Sequence, residues 1–172
     1  APTVRVAGRV YLPGGRGPQD VRPVPGAWVV VHRVGAGSAG AVDSVRTGPD
    51  GRYALTFRRT GGDSTVHFVS AAHAGITYFS DPLPAGAPPA GGVDLVVYDT
   101  TSSGVALGLP GRHIVVGARD SSRLHPIVEV FEVTNDSTVT LVGSGDAPSW
   151  RIRLPERAQG GSLAGGDVSP QA

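Results

Sequence analysis

The amino-acid sequence predicts an all-β protein made of two consecutive β-sandwich modules. Apolar residues recur at every second position through most of the chain, which is the period of a half-buried strand. No run of 11 residues carries an apolar face at helical spacing without an interrupting Gly or Pro. Gly and Pro number 26 and 15 among 172 residues. Many of them lie between the alternating runs, where turns are expected.

Six strands are predicted in the first module, which spans residues 1–80. The first strand, 4–12, places Val4, Val6, Val10 and Leu12 on one face and Arg5 and Arg9 on the other. The others are predicted at 27–34, 42–47, 52–58, 65–72 and 76–79. Residues 13–25 are predicted to form a turn-rich loop.

The segment from Gly48 to Gly51 predicts a hairpin between strands 42–47 and 52–58. Its Asp-Gly dipeptide is typical of a tight turn in which the Gly adopts a positive φ. In strand 52–58, Tyr53, Leu55 and Phe57 face one way. We expect them to share a core with Val29 and Val31.

Residues 81–92 are predicted to form a linker, because Pro cannot donate to a sheet ladder and this segment has four of them. The second module then covers residues 93–172. Its strands are predicted at 93–100, 113–118, 127–134, 137–142 and 150–154, followed by a Gly-rich C-terminal tail. An Ig-like sandwich has about seven strands, so the second module is predicted to be incomplete.

Three motifs in the first module resemble a known family. They are the Gly8-Arg9-Val10 strand, the Pro23 to Val31 strand with Gly26-Ala27 at its start, and the Thr47 to Tyr53 turn with Asp50-Gly51. Together they resemble the carboxypeptidase regulatory-like domain, over residues 4–80. The resemblance implies a transthyretin-like sandwich and no activity, since such domains accompany enzymes, surface proteins and transporters alike. Residues 93–172 resemble the region that follows such domains in exported bacterial proteins, at 97–101, 112–116, 128–130 and 166–170.

Composition argues against several functional classes. A formal net charge of +1 disfavours a nucleic-acid partner, and the absence of Cys removes thiol nucleophiles and Cys-ligated metals. No apolar run approaches the ~20 residues of a membrane span. The five His lack metal-binding spacing, and no Gly-x-Ser-x-Gly motif occurs. We therefore predict no catalytic residue, no metal site and no cofactor.

Two Asp-containing turns leave an alternative open. Asp120-Ser121-Ser122 and Asn135-Asp136-Ser137 offer oxygen ligands of the kind that Ca²⁺ prefers. Ordinary Asx turns explain the same residues. Asn135 also begins an N-glycosylation sequon, and Thr100 and Thr101 begin a cluster suited to O-glycosylation.

A second apolar face is the most informative feature of the first module. If Val29 and Val31 face the core, then Trp28, Val30, His32 and Val34 face the other way. That face is too apolar for open water, which indicates an interface with another subunit or with a glycan. The alternative is that the linker or the second module covers it.

The N-terminal segment 2–6 alternates and lies at a chain end. Its residues Thr3, Val4 and Val6 are predicted to donate a strand to the incomplete second module of another copy. The tail, 163–168, is a poorer donor because it has few side chains to fill pockets.

The sequence thus predicts a non-enzymatic, exported structural protein of the bacterial cell surface. Its expected partners are copies of itself in a filament or other homopolymer, with a glycan as a further partner and no membrane span. The start at Ala1-Pro2-Thr3, without Met, is typical of a processed exported chain, which we favour over the alternative that the sequence simply starts there. The alternative function is a carbohydrate- or peptide-binding accessory module of a larger exported protein.

Overall fold

The computed structural model describes residues 2–17, 19–35, 38–62, 64–84, 91–145 and 147–162, without the side chain of Ser38. They form twelve strands: β1 (Thr3–Pro13), β2 (Val21–Pro23), β3 (Trp28–Gly35), β4 (Ser38–Arg46), β5 (Arg52–Arg58), β6 (Val66–His73), β7 (Ile76–Phe79), β8 (Leu95–Val96), β9 (Asp99–Thr101), β10 (Gly108–Val116), β11 (Ile127–Thr134) and β12 (Val139–Leu141). The predicted all-β class is confirmed. Within these ranges no helix is long and apolar enough to cross a membrane.

The chain divides into two compact units, unit 1 (Ala1–Asp99) and unit 2 (Thr100–Ala172). Unit 1 contains two four-stranded sheets. One has the order β2-β1-β5 with β8 also paired to β1, and the other has the order β4-β3-β6-β7. The two sheets enclose one apolar core, so unit 1 is a β-sandwich.

The core confirms the predicted strand phases. Val29, Val31, Tyr53, Leu55 and Phe57 are all buried in it, as are Val4, Val6, Val10 and Leu12 of β1. These side chains alternate with exposed ones along β5, and with exposed or half-buried ones along β1, as half-buried strands require.

The predicted hairpin between β4 and β5 is wrong in its pairing, although its turn exists. β4 pairs with β3 and β5 pairs with β1, so the two strands belong to different sheets. Hydrogen bonds between Thr47 and the Gly26-Ala27 backbone hold the end of β4 on β3, while Val10 N–H donates to Gly51 C=O at 2.8 Å. The turn at 48–51 therefore carries the chain from one sheet to the other.

The predicted domain boundary also differs from the observed division. Leu83, Val93, Leu95 and Val97 are all buried in the unit 1 core, and β8 runs parallel to β1. Residues 91–97 therefore belong to unit 1, and the division falls after Asp99 rather than at 81–92. Of that predicted linker, residues 85–90 lie outside the described residues.

Two features of unit 1 accommodate residues 91–97. The Tyr53 hydroxyl donates to the Val93 carbonyl at 2.5 Å, and burial, followed by the nearby Asp94 carboxylate, raises the pKa of Tyr53. At Gly8 on the inner face of β1, an added Cβ would overlap the Val93 carbonyl oxygen. Only Gly leaves room for the chain to pass there.

Unit 2 has two ladders of two strands each, β10 with β11 and β12 with β9. β11 matches its prediction, β10 begins earlier than predicted, and residues 150–154 form no strand. No described side chain of residues 100–162 is fully buried. The described part of unit 2 thus shows no hydrophobic core. That the second module is incomplete stays a prediction. The tail from 163 to 172 lies outside the described residues.

Candidate assembly surfaces

The second sheet of unit 1 carries an exposed apolar surface, which we call the outer face. It consists of Trp28, Val30, His32 and Val34 of β3 with Val66 and Phe68 of β6 and Phe79 of β7, all on the side opposite the core. Trp28 is 47% exposed and Phe79 61% exposed, whereas Val30 and His32 are half-buried. The predicted orientation of the Trp28 stripe is confirmed; its role as an interface stays a prediction.

An aromatic cluster lies at the middle of the outer face. The His32 ring stacks on Phe68 with centroids 5.2 Å apart, and Phe79 lies edge-on to Phe68 at 5.7 Å. Ser80 and Pro82 extend this cluster into a shallow apolar groove. Sequence reasoning missed Phe68 and Phe79, because only the pairing of β6 and β7 places them beside His32.

Trp28 lies at one end of the outer face and is partly covered. The Arg46 guanidinium lies 4.4 Å from the centre of the indole, in a cation–π arrangement, and it also donates to the Gly26 carbonyl at 2.8 Å. No described carboxylate pairs with Arg46. The outer face therefore has a positive charge at its Trp28 end.

His32 and Ser70 form a pair that resembles the start of a nucleophilic site. Nε2 of His32 lies 2.8 Å from Oγ of Ser70. However, Ser70 is buried beneath the outer face, and no described carboxylate bonds His32 to orient its ring. The hydrogen bond instead satisfies a buried hydroxyl and holds His32 flat against Phe68.

The predicted N-terminal donor is wrong. Thr3, Val4 and Val6 lie in β1, where they pair with Arg58, Phe57 and Leu55 of β5. Val4 and Val6 are buried in the core of their own sandwich. Donating this strand to another molecule would therefore break unit 1, because its side chains already fill the core that donation would empty.

The second exposed apolar surface is the hairpin of β10 and β11. Six consecutive residues of each strand, 111–116 and 127–132, pair without irregularity. Six large aliphatic side chains at its turn end are more than half exposed: Ile114, Val115, Val116, Ile127, Val128 and Val130. Successive side chains of a strand point to opposite faces, so these runs of apolar residues make both faces of the hairpin apolar.

The two faces of the hairpin differ in the side chains that pack against them. On one face, Trp150 packs edge-on against Phe131 at 5.2 Å and Arg112 bonds Glu129 at 2.8 Å. The other face, which we call the open face, has Val115, Val128 and Val130 with His113 and Glu132 at one end. Nε2 of His113 lies 3.3 Å from the Glu132 carboxylate, and no other described side chain bonds either residue.

The structure shows where the predicted glycosylation residues lie. Asn135 lies at the corner between β11 and β12, where its side-chain oxygen accepts hydrogen bonds from Ser137 N–H and Oγ–H. Its Nδ2 donates to the Val139 carbonyl at 2.8 Å. Thr100 and Thr101 both lie in β9 and are half-buried, and the Thr101 hydroxyl donates to the Ser103 carbonyl. Glycosylation at these residues stays a prediction.

Both Asp-containing turns are Asx turns. Oδ1 of Asp120 accepts bonds from the Ser122 and Leu124 amides, as Asn135 does from Ser137. Among the residues that the structure describes, no three His, Asp or Glu side chains are grouped closely enough to hold a metal ion. Ordinary turn chemistry accounts for both segments.

His67 is a core residue that the sequence analysis considered only as one of five His without metal-binding spacing. It is 1% exposed, packs 5.4 Å from Phe57, and neither ring nitrogen has a hydrogen-bond partner. Burial first, and then the charges of Arg59 and Arg33, lower its pKa. Its alternation with the buried Val69 and Ala71 was the available signal.

Comparisons with known proteins add little. No protein-family model matches the chain, and no curated protein matches it. Among solved structures, a shaft pilin, SpaA from Lactobacillus rhamnosus GG, is similar over 78% of this chain and 79% of that chain. The identity is 12% and the TM-score is 0.39, so this likeness carries no argument about function.

Proposed function

We propose that the chain is a non-enzymatic structural subunit, exported to the cell surface, that assembles with copies of itself through its β-sheets. The observation that carries this proposal is the hairpin of unit 2, which is apolar on both faces and exposed on both. Strands of that composition are normally covered on both sides. A two-stranded hairpin is also only marginally stable in water by itself.

The edges of the hairpin support the same proposal. β10 and β11 pair only with each other among the described strands, so each has an unpaired edge. Pro110 and the irregularity between Gly108 and Gly111 protect only the start of β10. Residues 111–116 and 127–132 have neither Pro nor a bulge. The edge strand β4 of unit 1 differs in that its bulge, opposite Val31 and His32, interrupts the ladder in the middle of the strand.

Unit 1 is the stable body of this proposed subunit. Its two four-stranded sheets over one core support the assignment of residues 4–80 to the carboxypeptidase regulatory-like domains, which we retain as part of the proposal. The domain supplies no chemistry of its own. It would serve to carry and space the assembling surfaces.

The test is the state of association of the purified chain. Sedimentation velocity across a wide concentration range, with electron microscopy of the same samples, should show growth from monomers to filaments or other polymers. A variant with Val115→Asp and Val128→Asp should remain monomeric, because it buries charge wherever the open face is covered. The matched control, Leu154→Asp, changes an equally exposed side chain outside the hairpin and should polymerise. A wild-type chain that stays monomeric throughout would contradict the proposal.

A glycan-binding accessory module is the second candidate, favoured by the exposed indole of Trp28 with a guanidinium on one side. Sugars stack on aromatic faces of this kind. Titration with oligosaccharides should then change the tryptophan fluorescence of a Trp150→Phe variant, whose remaining indole is Trp28. No change in a Trp28→Phe variant is the corresponding control.

A further inference from the structure

Two exposed apolar surfaces lack a partner in the described part of the chain: the outer face of unit 1 and the open face of the hairpin. We propose that they are the two halves of one interface, in which the open face of one molecule packs on the outer face of a second copy. This inference rests on the proposed function and names the contact that would build the polymer.

The surfaces match in chemistry and in length. Among the described large apolar side chains of unit 1 that are exposed, all except Val21 lie on β3, β4, β6 or β7. Both surfaces are sheet faces, which pack at about 10 Å with nearly aligned strands. β3 and β11 each have eight residues, or about 26 Å of strand, so each covers the other along its length.

One opposite charge at an end of each surface favours a single orientation of the open face on the outer face. Arg46 stands over Trp28 at one end of the outer face, and Glu132 stands at one end of the open face. Val128 lies four residues from Glu132 along β11, and His32 lies four residues from Trp28 along β3, which is about 13 Å in both strands. Placing Glu132 beside Arg46 therefore puts Val115 and Val128 on the His32–Phe68–Phe79 cluster.

The contact joins two different surfaces, which has a structural consequence. Each molecule presents one outer face and one open face, so the contact repeats from copy to copy and builds a filament, or a ring where the rotation between copies closes. Pairing of two hairpins with each other would leave the outer face uncovered. A single heterologous interface covers both surfaces, which is why we favour it over hairpin self-association.

A complementation experiment tests the interface directly. The hairpin variant (Val115→Asp, Val128→Asp) keeps an intact outer face, and a face variant (Val34→Asp, Phe79→Asp) keeps an intact open face. Each variant alone should be monomeric. Mixed in equal amounts, they should form a 1:1 heterodimer, because only one good interface exists between them and neither product can extend.

Two controls keep the outcome decisive. Val21→Asp changes a partly exposed Val on the other sheet of unit 1 and should polymerise like the wild type. If Val34→Asp and Phe79→Asp unfold unit 1, the charge-swap variants replace the face variant. Arg46→Glu and Glu132→Arg should each raise the concentration needed for assembly by about tenfold, and the double variant should restore it.

The outcomes separate this inference from the proposed function. A folded face variant that still polymerises or dimerises alone, or charge swaps without effect, would overturn the interface and leave homopolymerisation standing. A wild-type chain that is monomeric at every concentration would overturn both. A heterodimer from two monomeric variants supports both.

Discussion

At the scale of single residues, Gly51 decides how the chain changes sheets. It has φ of 74°, a value that L side chains rarely adopt, and a Cβ there would lie 2.6 Å from the Val10 carbonyl oxygen. Gly51→Ala should lower the free energy of unfolding by about 1–3 kcal/mol, through backbone strain and this contact. Thermal or denaturant unfolding measures it, with Gly62→Ala, which meets nothing within 4 Å, as the control. Equal losses in both variants would contradict the argument.

His67 makes stability depend on pH. Its pKa is lowered in the folded state, by burial and then by Arg59 and Arg33, so below its ordinary value of about 6.5 the unfolded chain binds more protons than the folded one. Stability should therefore be fully present above that value and decrease as the pH falls through it.

The corresponding measurement compares unfolding at pH 7.5 and pH 5.5. His67→Phe should reduce the loss of stability between these two values, since Phe cannot bind the proton. His113→Gln, at an exposed position, should keep the wild-type dependence. The same pH dependence in wild type and His67→Phe would show that other groups cause it.

At the scale of elements, the β10–β11 hairpin should be ordered only by association. Its backbone amides within 111–116 and 127–132 pair solely within a two-stranded ladder among the described strands, and its side chains bury little. Hydrogen exchange of dilute monomer should thus be fast there and slow in β1, β3 and β6. In the assembled state we expect the hairpin to become protected. Slow exchange of this hairpin in the monomer would mean that it needs no partner.

At the scale of the whole molecule, unit 1 should fold without unit 2. Every buried apolar side chain of the core cluster lies between Val4 and Val97. A chain ending at Asp99 should therefore unfold cooperatively, close to the main transition of the full protein. Ending it at Ser80 should lower the free energy of unfolding by several kcal/mol or prevent folding, because Leu83, Val93, Leu95 and Val97 would be missing. Equal stability of the two fragments would contradict the observed division.

The core-facing side of β1, β3 and β5 and the exposed stripe from Trp28 to Val34 follow from alternation alone. A strand has a period of two, so a correct phase places every side chain on the correct face. The turn at Asp50-Gly51 is also predictable, since positive φ is a local requirement that Gly meets. The starts of β5, β7 and β11 are likewise marked by local breakers, since each strand directly follows a Gly or a Pro: Gly51, Gly75 and Pro126.

Sequence by itself therefore determined the all-β class, the strand phases, the Gly51 turn and the orientation of Trp28, because each depends on neighbouring residues. Only the tertiary structure decided which strands share a sheet. It placed β4 and β5 in different sheets, put Val4 and Val6 in their own core, and brought Leu83 and Val93 into unit 1. It also gathered Phe68 and Phe79 around His32 and left the hairpin uncovered. These features depend on pairing between residues distant along the chain, for which strand periodicity carries no information.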